Sequence, residues 1–387
     1  MIEGAALCNL TVAIAEACRS GLDPDALRAA VLPKLRRVVP IDALWWATAD
    51  PATLLFTQTY RDGLPEEIGP YFVENEFLTD DANKWTDLAR SRDGARTLIE
   101  ATGGDLGRSA RYRDIFGPLG LSDELRVVLR SRGTCWGFMC LHRGGSEGFS
   151  PEETQFIVRV APYLAEGIRL GLLVREADGA DREDAPGLVL LADDGSVVGT
   201  NGPADRWLDE LRDPGFGRLL PIEVYAIAAE LRRGVDSAAL PPRLRVRTRA
   251  GRWVVIHASW LGLRARETVA VIIEPAAAVE IAPLLMAAYG LTPRERTVTG
   301  LVCHGLSTRE VASRLHLAEH TVQDHLKSVF TRTGVRSRRE LVATILRQEY
   351  VSRARAGQAI DASGFFAPPD APPRPPESGT LAPPMSS

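Results

Sequence analysis

Leu291-Thr-Pro-Arg-Glu295, Leu306-Ser-Thr-Arg-Glu-Val-Ala312, Thr321-Val-Gln-Asp-His-Leu-Lys-Ser-Val-Phe330 and Gly334-Val-Arg-Ser-Arg338 follow one another between residues 291 and 338. Thr292 with Glu295, Ser307 with Glu310 and Ser337 with Glu340 each have the spacing of a capping box, in which a hydroxyl and a carboxylate satisfy free amides at a helix start. Leu306 and Val311 are spaced as a hydrophobic staple. Gly305 and Gly334 stand where helices stop. The stretch therefore spells four short helices. On the third, read at about 100° per residue, Val322, Leu326, Val329, Phe330 and Thr333 form one stripe, the side a core would cover. The opposite side carries His320, Gln323, Asp324, Lys327 and Thr331, a polar face without bulky apolar groups.

Amide, carboxylate and ammonium groups on an exposed helix face are the groups that distinguish base edges in a DNA major groove. Periodicity alone gives only an amphipathic helix. The four segments together resemble the LuxR-type helix-turn-helix. That resemblance implies that the helix from Glu319 is the recognition helix, with Gln323, Asp324 and Lys327 at base-facing positions. Gln then suits adenine, Asp accepts from cytosine, and Lys suits guanine. It further implies phosphate contacts from Thr321, Arg309 and Arg338, which position without specifying. The helix from Arg338 resembles the dimerising helix of the family. His325 falls at the stripe's edge and is read as packed or phosphate-facing. One departure stands out: Ala318 occupies the capping position usually held by Ser, a loss of about 1 kcal/mol.

Upstream, two blocks precede this segment. In residues 8–175, Ala43–Thr48 and Leu54–Tyr60 read as strands around Asp50-Pro51. Leu125, Val127 and Leu129 alternate with Arg126 and Arg130, the period of a half-buried strand. Ser131-Arg132-Gly133 turns the chain into a return strand, Cys135–His142. Ser150-Pro-Glu-Glu153 then opens a long helix whose stripe, Phe156, Val160, Leu164, Ile168 and Leu172, is either core or a dimer seam. Trp136-Gly-Phe-Met-Cys-Leu-His142 and Phe149-Ser-Pro-Glu-Glu153 resemble a GAF domain. Residues 176–185 read as an acidic linker.

In residues 186–276, Leu188–Ala192 and Val197–Val198 flank Asp193-Asp-Gly195, a hairpin signal. A short helix is expected over Ala204–Leu211. Leu244, Val246 and Thr248 alternate with Arg243, Arg245, Arg247 and Arg249, read as a solvated sheet face rather than an anion patch. With Asn201 and the strands Arg252–Leu261 and Val269–Ile273, this block resembles a PAS domain. Residues 277–290 read as a linker helix, 291–350 as the helix-turn-helix domain, and 351–387 as a disordered tail, with eight of the chain's 26 prolines in its last 20 residues. The fold class is thus multidomain α+β: GAF-like and PAS-like antiparallel sheets with helices, then an all-α four-helix helix-turn-helix domain.

The 387 residues carry a net charge of −4, which excludes coating of nucleic acid by bulk charge. Residues 290–350, with ten Lys/Arg against six Asp/Glu, are locally basic, as a polyanion site requires. No basic n-region opens the chain and no 18-residue apolar run occurs, so a soluble, cytoplasmic protein without membrane contact is expected. Cys8, Cys18, Cys135, Cys140 and Cys303 are odd in number and scattered, unlike a disulfide framework. Cys135 and Cys140, five apart on one strand, are expected on opposite faces, which argues against a shared metal. Trp45 and Trp46 are expected to face opposite sides of theirs, and His142 to be structural rather than a haem ligand.

With three lysines and no Gly-Lys-Ser/Thr, His-Glu-x-x-His or paired Cys-x-x-Cys, the motifs of P-loop, zinc-protease and dithiol enzymes are lacking. No catalytic residue, cofactor or metal is assigned. The expectation is a signal-responsive transcription regulator that binds double-stranded DNA as a homodimer, with room for a small-molecule ligand in the GAF-like or PAS-like domain. Two competitors remain: a regulator whose ligand-free sensor domains serve as dimer or docking scaffold, and an RNA-binding antiterminator.

Overall fold

In the computed structural model, residues 4–145, 147–173, 185–212, 219–234, 241–261 and 268–355 are described. They form two compact units, Met1–Gly290 and Leu291–Ser387. The first opens with α1 (Gly4–Arg19), α2 (Pro24–Leu35), β1 (Ala43–Ala49), β2 (Phe56–Asp62), α3 (Ile68–Phe77), α4 (Trp85–Arg90), β3 (Ala95–Thr97) and α5 (Leu98–Thr102). β4 (Leu121–Ser131), β5 (Thr134–Gly144) and α6 (Pro151–Gly171) complete the first block. The second holds β6 (Gly187–Leu191), β7 (Val197–Thr200), α7 (Gly202–Leu211), α8 (Ile222–Arg233), β8 (Arg243–Arg247), β9 (Trp253–Leu261) and β10 (Thr268–Pro275), followed by α9 (Ala278–Ala288). The remainder is α10 (Pro293–Cys303), α11 (Thr308–Leu315), α12 (Glu319–Thr333) and α13 (Arg338–Arg355). No described helix is long and apolar enough to cross a membrane.

Both sheets are antiparallel with five strands, and both place the second strand outermost beside the first: β2-β1-β5-β4-β3 and β7-β6-β10-β9-β8. The β4–β5 hairpin turns at Arg132 and Gly133, both at positive φ (52° and 75°). Two consecutive positive φ angles match the twist of a tight hairpin. Trp45 and Trp46 do face opposite sides, since they lie in different core clusters. On the Trp46 side, Phe156, Val160, Leu164 and Ile168 of α6 are buried with α1 and α2. That stripe is core, each fully buried side chain contributing about 1.5–3 kcal/mol. Ser150 and Glu153 make the capping box that starts α6.

The Trp45 side departs from the sequence reading. Arg126 was expected on a wet face, yet it is fully buried. Its guanidinium bonds Glu124 at 3.0 Å and Glu76 at 2.5 Å and lies 3.9 Å from the Trp85 ring centre. Arg111 grips the same Glu124 at 2.6 Å. Burial on its own would raise the Glu124 pKa, but Arg111 and Arg126 hold it well below the usual carboxylate range. Alternation predicts water on one face only when nothing covers that face, and here α3 and α4 cover it.

Cys135 and Cys140 are a second correction. Arg130 pairs with Cys135 but Leu129 pairs with Gly137, so Trp136 is an extra residue in β5. This bulge resets the strand's parity, and both thiols join the same cluster.

The arginine row is a third. Arg245 donates to both carboxylate oxygens of Asp50, at 2.7 and 2.5 Å. Arg243 bonds Glu280 of α9 at 2.6 Å, and Arg247 reaches the Gly171 carbonyl at the end of α6. Arg243 and Arg249 remain exposed, as a solvated face implies, but Arg245 and Arg247 are half-buried, and Arg243, Arg245 and Arg247 tie the second block to the first and to α9. The linker 176–185, save Ala185, lies outside the described residues, as does the tail beyond Arg355.

His142 is structural, as expected of it. It is fully buried against Phe116, with ring centres 4.3 Å apart, and neither nitrogen has a hydrogen-bond partner among the described residues. Burial pushes its pKa from 6.5 down to about 4, with Arg126 and Arg111 adding to the shift and Glu124 opposing it. A neutral histidine that charges only on unfolding makes the folded state lose stability as pH falls from 6.5 toward 4, by about 1.4 kcal/mol per unit. Urea titrations of wild type and His142→Leu across this window should show the wild type losing more, with the difference flat above pH 6.5. Parallel curves for the two proteins would contradict the assignment.

Candidate nucleic-acid interface

The Leu291–Ser387 unit is built around Leu291, Val298, Val302, Val311, Ala312, Val322, Leu326, Val329, Leu341 and Ile345, all buried. Its helices start as their residues dictate. Thr292 accepts from the Glu295 amide while Glu295 accepts from the Thr292 amide at 2.7 Å, and Ser307 with Glu310 does the same. At the last box the Ser337 hydroxyl accepts from the Glu340 amide, but the Glu340 carboxylate takes the Arg336 amide rather than that of Ser337. α11 and α12 are joined by the short turn His316–Ala318, with His316 left-handed at φ 52°. Ala318 makes no side-chain cap, so the α12 amide groups lack that partner.

α12 buries Val322, Leu326 and Val329. Phe330 and Thr333, placed on the same stripe, are half-buried. Gln323, Asp324 and Lys327 stand together on the exposed side with His320 and Thr331. Lys327 lies 3.3 Å from Asp324, with the two side chains 77% and 67% exposed. A pair this wet is worth about 0.5 kcal/mol, so both groups can exchange their partner for another at little cost. Arg309 is exposed on α11, Thr321 is half-buried at the α12 start, and His325 is half-buried beside the stripe. Arg338 is half-buried, and one of its terminal nitrogens has no hydrogen-bond partner among the described residues.

Glu295 has a role beyond the capping box. It is buried, and its second oxygen accepts from the Ser328 hydroxyl of α12 at 2.5 Å, with Arg332 at 3.4 Å. Burial alone would raise its pKa. The hydrogen bonds from Ser328 and Thr292 and the Arg332 charge outweigh this, and the pKa lies below the ordinary value. Arg294 of α10 reaches the Leu315 carbonyl at the end of α11, at 3.1 Å. α10 is thus the bracket that fixes α11 and α12. Capping spacing signals Glu295, but nothing in the linear pattern points to Ser328, 33 positions away.

In the Met1–Gly290 unit, Glu124, Cys140 and His142 have ligand-type atoms within 4.8 Å of one another, all buried. They do not suit a metal ion. Both Glu124 oxygens are held by guanidinium groups, and the Cys140 sulfur lies 2.9 Å from Glu124. Burial and the adjacent carboxylate push the Cys140 pKa well up, so the thiol keeps the proton a metal would have to displace.

Residues 290–345 match the family described as bacterial regulatory proteins, luxR family. The spore germination protein GerE of Bacillus subtilis is 39% identical over 57 residues, which cover 15% of this chain and 77% of GerE. The chain belongs to the luxR family of bacterial regulatory proteins. An HTH-type transcriptional regulator of Mycobacterium tuberculosis is 48% identical over 52 residues, 13% of this chain. The chain spans only about 6% of that relative's length. Among solved structures, the GAF domain of an Acinetobacter phosphoenolpyruvate-protein phosphotransferase is 14% identical with a TM-score of 0.32, covering 44% of this chain and 97% of that one.

Replacing Glu295 by Gln removes one acceptor and turns an amide toward donors, an expected loss of about 1–3 kcal/mol. Hydrogen exchange of the α12 amides in the full chain should accelerate correspondingly. Unchanged protection in α12 would show that the carboxylate does not hold the helix.

Proposed function

We propose that the chain is a signal-responsive transcription regulator that binds double-stranded DNA as a homodimer, with α12 in the major groove. The observation that carries this reading is the exposed polar face of α12. It presents Gln323, Asp324 and Lys327 together on a helix whose other side is locked into the domain core, within the segment that matches the luxR family. Base contacts are assigned to these three residues. Phosphate contacts are assigned to Thr321, Arg309 and Arg338. The relatives named as transcriptional regulators support a non-enzymatic role. The cytoplasm is the compartment that goes with it.

The domain plan is a sensory block over 8–175, a second over 186–276, a linker helix and the DNA-binding unit from 291. Within the Met1–Gly290 unit the first block meets the linker helix directly. Arg169, near the end of α6, donates to the carbonyl of Ala288, the last residue of α9, and also holds Glu166 at 2.5 Å. The chain reaches Leu291 three positions later.

One observation counts against a ligand held inside the first sheet. That interior is filled: Trp45 stacks on Trp85 at 4.8 Å, and Phe56, Phe72, Phe77, Phe116 and Phe138 close around them.

Lys327→Ala removes an exposed side chain and leaves the core intact. Gel-shift titration at fixed salt should show specific duplex affinity falling by about tenfold, the worth of one good base contact, with the melting temperature unchanged. Undiminished affinity would overturn the base-contact assignment.

A further inference from the structure

The Met1–Gly290 unit contains two histidines, His142 and His257. His142 is sealed in the core, with its pKa pushed down to about 4. His257 is set differently. Its strand neighbours Ile256 and Ala258 belong to the core shared with α8, so alternation turns His257 to the other face of the sheet. That is the face of Trp253, which clusters with Ile281 and Leu284 of α9. The imidazole is 20% exposed, so water can exchange protons with it.

Three charged groups form a chain through this ring. Arg243, opposite His257 on β8, donates from Nε to His257 Nδ1 at 3.1 Å. Glu274 of β10 lies 2.7 Å from Nε2, and Arg243 Nη2, at 3.5 Å, is too far to compete with it. Arg243 also donates from Nη2 to Glu280 Oε1 of α9 at 2.6 Å. Glu280 Oε2 accepts the Ala277 amide and so closes the first turn of that helix. A carboxylate only accepts and a guanidinium only donates, which assigns the ring hydrogen to Nε2 and leaves Nδ1 bare. The other charges nearby have partners or lie across the sheet. Arg245 donates to Asp50 and to the Glu280 carbonyl, Glu280 is the one charged residue of α9, and α8 packs on the opposite face.

We infer that His257 is a proton-operated latch on the linker helix α9. A second proton on the ring has only Nδ1 to bind, and there it meets the Nε hydrogen of Arg243. Two donors and two positive charges then face each other where a donor had met an acceptor. Glu274 retains the imidazolium, so Arg243, whose side chain is 56% exposed, is the group that leaves. Glu280 thereby loses a partner fixed to the sheet, and the first turn of α9 loosens. Imidazole changes charge between about pH 5 and 8, which is the range in which the latch works. The inference concerns the Met1–Gly290 unit alone and stands whether or not α12 reads DNA.

Hydrogen exchange of the full chain at about pH 7.5 and about pH 5.5, corrected for intrinsic rates, reads the latch. The reporters are the Glu280 and Ile281 amides, which bond the Ala277 carbonyl. Their protection should fall about three- to tenfold on acidification, the weight of one part-exposed hydrogen bond. His257→Gln offers an amide oxygen to Arg243 and an amide hydrogen to Glu274 but takes up no proton. Its protection should be the same at both pH values, and Arg243→Ala, at an exposed position, should be loose at both. A wild type without the acid response would overturn the latch, as would a His257→Gln chain that responds like the wild type. Nitrogen NMR of the unaltered chain near pH 8 checks the network independently. Hydrogen on Nε2 of His257 is expected, and hydrogen on Nδ1 would refute it.

Discussion

A carboxylate taken out of water must be met by several donors, or its burial costs more than the surrounding packing returns. That constraint organises both units. In the first, Glu124 has no solvent exposure to speak of and draws Arg111 and Arg126 inward. Arg126 in turn requires Glu76 of α3, and Arg111 requires Asp81, which follows α3. The covering helices are thereby pinned to the sheet by charge pairing as well as by the aromatic cluster. In the second unit Glu295 plays the same part on a smaller scale, closing the start of α10 and holding Ser328 of α12. A helix short of its own N-terminal cap, as α12 is, depends on such outside support.

These pairings have a consequence for signalling. The interior of the first sheet is committed to aromatic packing and ion pairs. The seam is held by Asp50 with Arg245, by Glu280 with Arg243 and by a hydrophobic core that runs without a break from the first block into the second. α6 and α9 both border it, and Arg169 of α6 donates to the carbonyl of Ala288, three positions before Leu291.

What could be read from the residues was whatever is local. Capping boxes at Ser150, Thr292 and Ser307, the glycine after Arg132 and the alternating strands each act within a few positions, and the structure has them where the spacing puts them. The polar and apolar sides of α12 were legible for the same reason. Two of the failures are long-range and one is a local bulge. Arg126 looked solvated because its partner Glu76 lies 50 positions away. The arginine row looked wet because Asp50 lies 195 positions from Arg245. Cys135 and Cys140 share a face because of a single extra residue at Trp136, which periodicity cannot register. The half-buried setting of Arg338 likewise follows from tertiary packing.

The central claim, that α12 reads duplex DNA from a symmetric dimer, is tested most directly by selection from a random double-stranded pool with the full chain, followed by sequencing. The account predicts enrichment of an inverted repeat whose half-sites are centred about one helical turn, roughly 10 base pairs, apart. Recovery of no common motif, or stronger retention of hairpin RNA offered in competition, would contradict it.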